Sequence, residues 1–357
     1  MKKIFVLLMS CSVLSLQAQL RNNDVYEMTE MNQSHVRNEI QIPDVDGYKT
    51  LKCDFHIHTV FSDGKVWPDI RVAEAWQEGL DAIAITDHIE YRPNKEILKG
   101  DLNESYKIAK RAGDAIGFMV IHGTEITRSK PLGHLNALFI SDAVPMDVKE
   151  PLEAIDEAIR QGAFIMWNHP GWPDDKSTLY PVHEELIKAD KIHGVEVFNH
   201  LEYYPVSLDW CKDKNLAFMS NTDIHGLIST TYGAGNKIRP MTLVLAKERN
   251  LESIKEALFA KRSIAYYHGE LAGKPEHLKG LLKASVKIRI IDEKQAEVTN
   301  ISDITYRATA GSNLYMLPAN KTVLLTIPAP ETVFTVENCH TGNGERLTVT
   351  VSDFDIQ

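Results

Sequence analysis

The chain has 357 residues and a formal net charge of −10, with 43% hydrophobic and 25% charged residues. That profile belongs to a folded globular protein and excludes disordered, fibrous and collagen-like classes. With no basic surplus to displace counterions, it speaks against a nucleic-acid backbone as main partner. A small anionic ligand stays open, because a bound cation outweighs local carboxylates.

The N-terminus, MKKIFVLLMSCSVLSLQAQ, sets Lys2 and Lys3 before a mostly apolar run, Ile4 to Leu16, and a small residue, Ala18. A positive start, a short apolar core and a small cleavage residue predict a secretory signal over residues 1–18 and an exported, periplasmic or secreted protein. Lipidation at Cys11 is the weaker alternative, since it leaves an unusually short apolar core before the cysteine. No other run approaches the roughly 20 apolar residues of a transmembrane helix, so no stable membrane span is expected. Cys53, Cys211 and Cys339 share no CxxC spacing, which points to neither a disulfide scaffold nor a cysteine metal site.

Residues 19–48 are polar and predict an irregular leader with a short helix around 30–39. A regular rhythm follows. LKCDFHIHT, DAIAITDH, FMVIHGTEI, HLNALFI, AFIMWNH, GVEVFN and LAFMSNTDIH read as strands. PDIRVAEAWQEGL places Ile70, Ala73, Ala75, Trp76 and Leu80 at near-helical spacing, and LNESYKIAKRAGDAI, PLEAIDEAIRQG and VSLDWCKDKN read as helices too. The alternation predicts an α/β fold with a mainly parallel sheet, and about seven strands predict a closed or nearly closed TIM-like barrel over residues 49–270. From residue 284 the pattern changes to short β-branched runs: VKIRII, AEVTN, TYRATA, TVLLTI, TVFTVEN and RLTVTV. They predict a small all-β, sandwich-like accessory domain over 281–357, joined through 266–280 and filled by Tyr306, Tyr315 and Phe334.

Polar residues cluster where the predicted strands end. The first ends in His56-Ile57-His58, whose period of two puts both imidazoles on one face with Asp54, while Cys53, Phe55 and Ile57 take the other. The second ends in Thr86-Asp87-His88, the third in Gly123-Thr124-Glu125, the fifth in Asn168-His169-Pro170 and the seventh in Asp223-Ile224-His225. His134 opens the fourth and joins them if that strand begins near the same rim or its loop folds back. A parallel barrel brings strand C-termini to one rim, so His56, His58, His88, Glu125, His169, Asp223 and His225 converge there. Buried together without a cation they would be costly. Neutral imidazole with carboxylate suits zinc, iron or manganese. His200 and His268, near rim or connector positions, are candidate substrate contacts. His122 is read as structural, and His35, His183, His193, His277 and His340 as residues of polar contexts.

In their order, DFHIHTVFSDG, LDAIAITDH, GTEIT, GHLNAL, NHPGW and SNTDIHG resemble the PHP (polymerase and histidinol phosphatase) superfamily of metal-dependent phosphoesterases, over about residues 50–270. The resemblance implies a distorted (β/α)7 barrel and two or three divalent cations. His56, His58, Glu125 and Asp223 would hold one. Glu125 would share it with a second, held by His134 and His169. Asp63, His88 and His225 would hold a third, and Asp87 would orient a ligand. The implied reaction is hydrolysis of a small phosphoester, such as a nucleotide or sugar monoester, by a metal-bridging hydroxide in a trinuclear site. Asp223, His169 and His225 are the catalytic candidates, with His169 or His225 giving a proton to the leaving oxygen. Arg128 is a candidate phosphate clamp. Two alternatives remain: a metal hydrolase of amides or lactones, and a non-catalytic, metal-stabilised binding protein. A polymerase role is not expected, and oligomeric state is not legible.

Overall fold

The computed structural model describes residues 36–354 apart from 174, 234–238, 327, 328 and 330. The predicted signal and most of the leader lie outside the described residues; the described part of the predicted helix, residues 36–39, is not helical. Among the described residues no helix is long and apolar enough to cross a membrane.

The strands form where apolar runs can be buried on both faces. β1 (Lys49–Asp54), β2 (Ala82–Ile85) and β3 (Met119–Thr127) run parallel. β4 (His134–Leu138) lies antiparallel between β3 and β5 (Phe164–Trp167). β5, β6 (Gly194–Asn199) and β8 (Ala217–Asn221) are again parallel, with the two-residue β7 (Glu202–Tyr203) hairpinned onto β6. The barrel closes at the C-terminal rim. Ile57 bridges Ile224, His58 N–H donates to the Ile224 carbonyl at 3.2 Å, and Phe55 N–H donates to Asn221 Oδ1 at 2.8 Å. On the edge of β1 away from β2, β9 (Met241–Ala246) pairs antiparallel with β1, and β10 (Ser263–Tyr267) pairs antiparallel with β9. The sheet is therefore less uniformly parallel than the alternation of runs suggests. MTLVLA and SIAYY are apolar strands whose direction no residue pattern encodes.

The helices are α1 (Pro68–Gln77), α2 (Glu104–Ile116), α3 (Pro151–Arg160), α4 (Pro181–Lys188), α5 (Pro205–Asp213), α6 (Ile228–Tyr232), α7 (Leu251–Phe259) and α8 (Pro275–Ser285). α1, α3, α4, α5 and α8 all start on proline, whose fixed φ and missing N–H suit a first helical position. In α7 the Asn250 side chain accepts from Ser253 N–H at 2.7 Å, a side-chain N-cap. Cys53 and Phe55 are fully buried among Ala82, Ile121 and Met166, on the face opposite the histidines.

The segment 266–280, read as a connection, is structured. It completes β10, forms β11 (Glu270–Gly273) and starts α8. Beyond it, β12 (Val286–Ile290), β13 (Gln295–Asn300) and β16 (Thr322–Thr326) make one antiparallel sheet. β14 (Tyr306–Ala310), β15 (Asn313–Leu317), β17 (Val333–Gly342) and β18 (Glu345–Thr350) make the other. Tyr306, Tyr315 and Phe334 line the apolar space between them. β17 pairs in parallel with β11, Leu271 opposite Cys339 and Ala272 opposite His340, so the second sheet continues that of the barrel.

Candidate metal centre

His134 reaches the rim because β4 is antiparallel. The first residue of β4 lies opposite Thr127, the last of β3, so a strand start meets the strand ends. The rim then gathers His56, His58, Asp63, His88, Glu125, His134, His169, Asp223 and His225.

Glu125 is fully buried at the middle. Its Oε2 faces His88 Nδ1 at 2.8 Å, His58 Nε2 at 3.4 Å and His56 Nε2 at 3.6 Å. Its Oε1 faces His134 Nδ1 at 2.9 Å and His169 Nε2 at 3.7 Å. One carboxylate thus serves two groups of imidazoles. Asp223 Oδ1 approaches His58 Nε2 at 3.0 Å and His56 Nε2 at 3.2 Å, while its Oδ2 lies 3.8 Å from His169 Nε2. Asp63 Oδ1 faces His225 Nε2 at 3.2 Å and His88 Nε2 at 3.4 Å. His58 lies between these groups, stacked on His88 and His225 with ring centroids 4.4 and 4.3 Å away.

The donor atoms fit cations. His56 Nε2, His58 Nε2, Asp63 Oδ1, Glu125 Oε2, His134 Nδ1 and Asp223 Oδ1 are all buried without a hydrogen-bond partner. A buried polar atom left so is costly and calls for a ligand. Four groups of these side chains keep their donor atoms within 4.8 Å of one another: Asp63 with His58, His88 and His225; Glu125 with His56 and His58; Asp223 with His56 and His169; Glu125 with His134 and His169. Imidazole and carboxylate at such spacing suit a divalent metal of intermediate softness.

Electrostatics tell the same story. Burial alone would depress His56, but Asp223, Glu196 and Glu125 overcome it and raise its pKa well above the ordinary value. His88 is likewise raised, against burial, by Glu125 and Asp63. Burial opposes the charge on Glu125, Asp63 and Asp223, yet the surrounding imidazoles hold all three below the usual carboxylate range. His58 is pushed down by burial and by neighbouring His88. Carboxylates this deep keep their charge only beside positive charge, from protons or metal.

The scaffold beneath is equally specific. Glu196, fully buried on β6, accepts from His56 Nδ1 at 3.0 Å and turns Nε2 toward the centre. It also accepts from His169 N–H at 2.7 Å and from the Asn199 and Asn221 amides at 2.8 and 2.9 Å. Arg71, 1% exposed on α1, donates to the carbonyls of His58, Ile224, His225 and Gly226 and pairs with Glu74. Neither was anticipated. Their signal was an acid inside the apolar run GVEVFN and an arginine on a helix beside apolar residues. Asp87 binds Thr59 and Ser62, and Ser62 Oγ lies 3.4 Å from His58 Nδ1, so Asp87 connects to His58 through the turn. Asp54 lies below the centre, bound to Thr222 and Arg239. Gly64 explains the SDG: a Cβ there would meet the His58 and Thr59 backbone at 2.7 Å. His169 and Asp223 hold φ of 24° and 51°, a conformation that non-glycine residues keep mainly where a site requires it.

Two expected substrate contacts are corrected. Arg128 pairs with Glu90 and donates to the Thr127 and Val148 carbonyls, in a separate depression. A guanidinium so well partnered at its own loop does not turn to the centre. His268 sits exposed in the tight β10–β11 turn and does not line the cleft. His200 does line it, with Asn199 and Glu202. The structural reading of His122 agrees with its near-parallel stack on Tyr106, 4.0 Å apart.

The family model of the PHP domain matches residues 54–258. A two-domain protein of Bacteroides vulgatus, described as containing a predicted PHP-like metal-dependent phosphoesterase, is 39% identical; the match covers 89% of this chain and 99% of that one, with a TM-score of 0.85. An uncharacterised protein of Methanocaldococcus jannaschii is 38% identical over 81 residues, 23% of this chain and 36% of that relative. With a family match over more than half its length, a near full-length relative and a built set of cation donors, the chain belongs to the PHP domain family and is a metal-dependent hydrolase.

Proposed function

We propose that the centre hydrolyses small phosphoesters with up to three divalent cations, zinc, manganese or iron. The observation that carries the reading is the convergence of orphaned donor atoms around Glu125 and Asp223 at the base of a cleft of about 730 Å³, room for a small organic phosphate. His56, His58, Glu125 and Asp223 would hold one cation, His134 and His169 with Glu125 a second, and Asp63, His88 and His225 a third. Bound cations would supply the positive charge that draws in phosphoryl oxygens and acidifies a water.

The chain's own part is orientation and proton handling. Glu196 fixes His56, Arg71 fixes the His58 and His225 turns, and Asn168 donates to Glu125 Oε1 at 2.9 Å. The water oxygen bonds to phosphorus, the ester P–O bond breaks, and the leaving oxygen takes a proton. Of the three catalytic candidates, Asp223 is committed to His56 and His58, and His169 is 8% exposed. The His225 side chain, 37% exposed with Nδ1 donating to the Asp223 carbonyl at 2.8 Å, is the most open; where its Nε2 is not taken up by the third cation, that nitrogen would carry the proton to the leaving oxygen.

The test is metal analysis of the purified protein joined to a phosphoester panel. Two or three divalent cations per chain and chelator-sensitive phosphate release are expected. A metal-loaded protein that cleaves amides or lactones and no phosphoester would overturn the reading. We propose further that the protein works outside the cytoplasm, on the N-terminal pattern. Retention in the cytoplasmic fraction of an expressing bacterium would sink that part.

A further inference from the structure

Two aromatic rings flank the centre without a burial role. Trp172 is 52% exposed with its ring 4.9 Å from His134 and 5.8 Å from His169; Tyr91 is 54% exposed with its ring 6.1 Å from His88. Both line the cleft. Their positions differ from those of the structural aromatics: Trp167 stacks on Trp210 and His183 inside the fold. An exposed Trp face held beside reacting groups by its contact with two of their histidines is a surface for a flat ring.

The wall of the same cleft is polar and acidic. Glu202 lies opposite Asn199 in the β6–β7 hairpin, which fixes it at the mouth, and its carboxylate accepts from the Tyr204 hydroxyl. No lysine or arginine is among the described residues lining the cleft. Three arginines of the surrounding elements have their own partners: Arg71 the rim carbonyls and Glu74, Arg128 Glu90, Arg239 Asp54. Among the described residues lining the cleft, only those that would hold the cations offer a place for negative charge. A second anionic group on the substrate would face Glu202, whereas hydroxyls would find acceptors in Glu202 and Asn199.

Resting on the phosphoester reading, we infer that the cleft selects phosphoesters whose leaving group is an uncharged, hydroxyl-bearing ring, with Trp172 and Tyr91 stacking the ring and Glu202 rejecting a second anion. The leaving group is thus a sugar or nucleoside carrying no further phosphate.

The experiment uses the metal-loaded full chain with four probes: glucose 1-phosphate, adenosine 5′-monophosphate, glycerol 3-phosphate and glucose 1,6-bisphosphate. Phosphate release and calorimetric binding are measured for each. Expected is at least a tenfold advantage in kcat/KM and affinity of one ring monophosphate over both glycerol 3-phosphate and the bisphosphate. The better of the first two probes tells a pyranose from a nucleobase. Trp172→Ala and Tyr91→Ala, each with metal content checked, shrink the ring advantage mainly through KM, and Glu202→Gln improves the bisphosphate relative to the monophosphate about tenfold. Equal use of glycerol 3-phosphate, preference for the bisphosphate, or unchanged ratios in fully metallated variants overturns the inference. If nothing is turned over, the phosphoester reading fails. The selectivity then stands if binding keeps the stated order and falls if it does not.

Discussion

Glu196 shows how much a single buried side chain decides at this centre. It fixes the His56 ring and at the same time gathers His169 N–H and the Asn199 and Asn221 amides. Glu196→Gln keeps the volume but removes the charge that makes the His56 Nε2 lone pair more basic. Metal affinity falls roughly 10- to 100-fold, read by competition with a chromogenic chelator; an unchanged affinity would remove Glu196 from the centre. Arg128 marks the opposite case, a residue that looked functional by its position after Glu125. Its guanidinium is committed to Glu90 and two carbonyls. Arg128→Ala therefore leaves KM for any phosphoester within about twofold of wild type. A KM increase of ten times or more, at unchanged metal content, would return it to the substrate.

At the scale of elements, α1 links the first and last ligand turns. Its Arg71 joins the carbonyls of His58 on one side and Ile224, His225 and Gly226 on the other. Arg71→Met leaves buried carbonyls without donors and Glu74 without its cationic partner, a loss of about 3–5 kcal/mol. Chemical denaturation measures it, and metal stoichiometry drops first beside Asp63 and His225. A destabilised variant that still holds every cation would limit Arg71 to packing. β4 teaches a different lesson. HLNAL reads as a strand, and His134 could be tied to the rim by either of two geometries. Only the Thr127–His134 pairing, which makes the strand antiparallel, distinguishes them. Strand direction depends on the neighbours a strand finds, and those are set by chain segments far from it in sequence.

For the whole molecule, the β11–β17 pairing and the shared core mean that barrel and β domain depend on one another. Tyr266 and Leu271 belong to the same apolar cluster as Tyr306, Val336 and Cys339. A chain cut after residue 280 exposes the β11 edge and that surface, and is recovered as aggregate rather than as a metal-binding monomer. A soluble, metal-loaded truncation would show the barrel to be autonomous. Stability also responds to pH through histidines outside the centre. His122, stacked on Tyr106 and surrounded by Asp142, Lys107 and Asp101, is pushed down to about 4 by burial. Between its unfolded value near 6.5 and about 4, the unfolded chain binds a proton that the folded one does not. The stability tied to neutral His122 is therefore full above pH 6.5 and lost as pH falls toward 4. In metal-free protein, His122→Phe should gain about 2–3 kcal/mol on wild type between pH 7 and 4.5, measured by urea unfolding. Parallel curves would refute this.

The sequence by itself determined that most of these side chains meet. Strand periodicity puts His56 and His58 on one face, and the C-terminal rim of a parallel α/β barrel collects His88, Glu125, His169, Asp223 and His225 whatever the loops do. Local chemistry likewise set the proline-led helices and the alternating strands of the β domain. Tertiary structure alone decided what lies beneath and around the centre: that Glu196 and Arg71 are parts of it, that Arg128 and His268 are not, and that Trp172, Tyr91 and Glu202 line one cleft. Periodicity is a property of neighbours along the chain and can be read there. A buried carboxylate's partner, an arginine's carbonyls and a cleft wall are made by residues often more than a hundred positions apart, so folding has to bring them together before their roles exist.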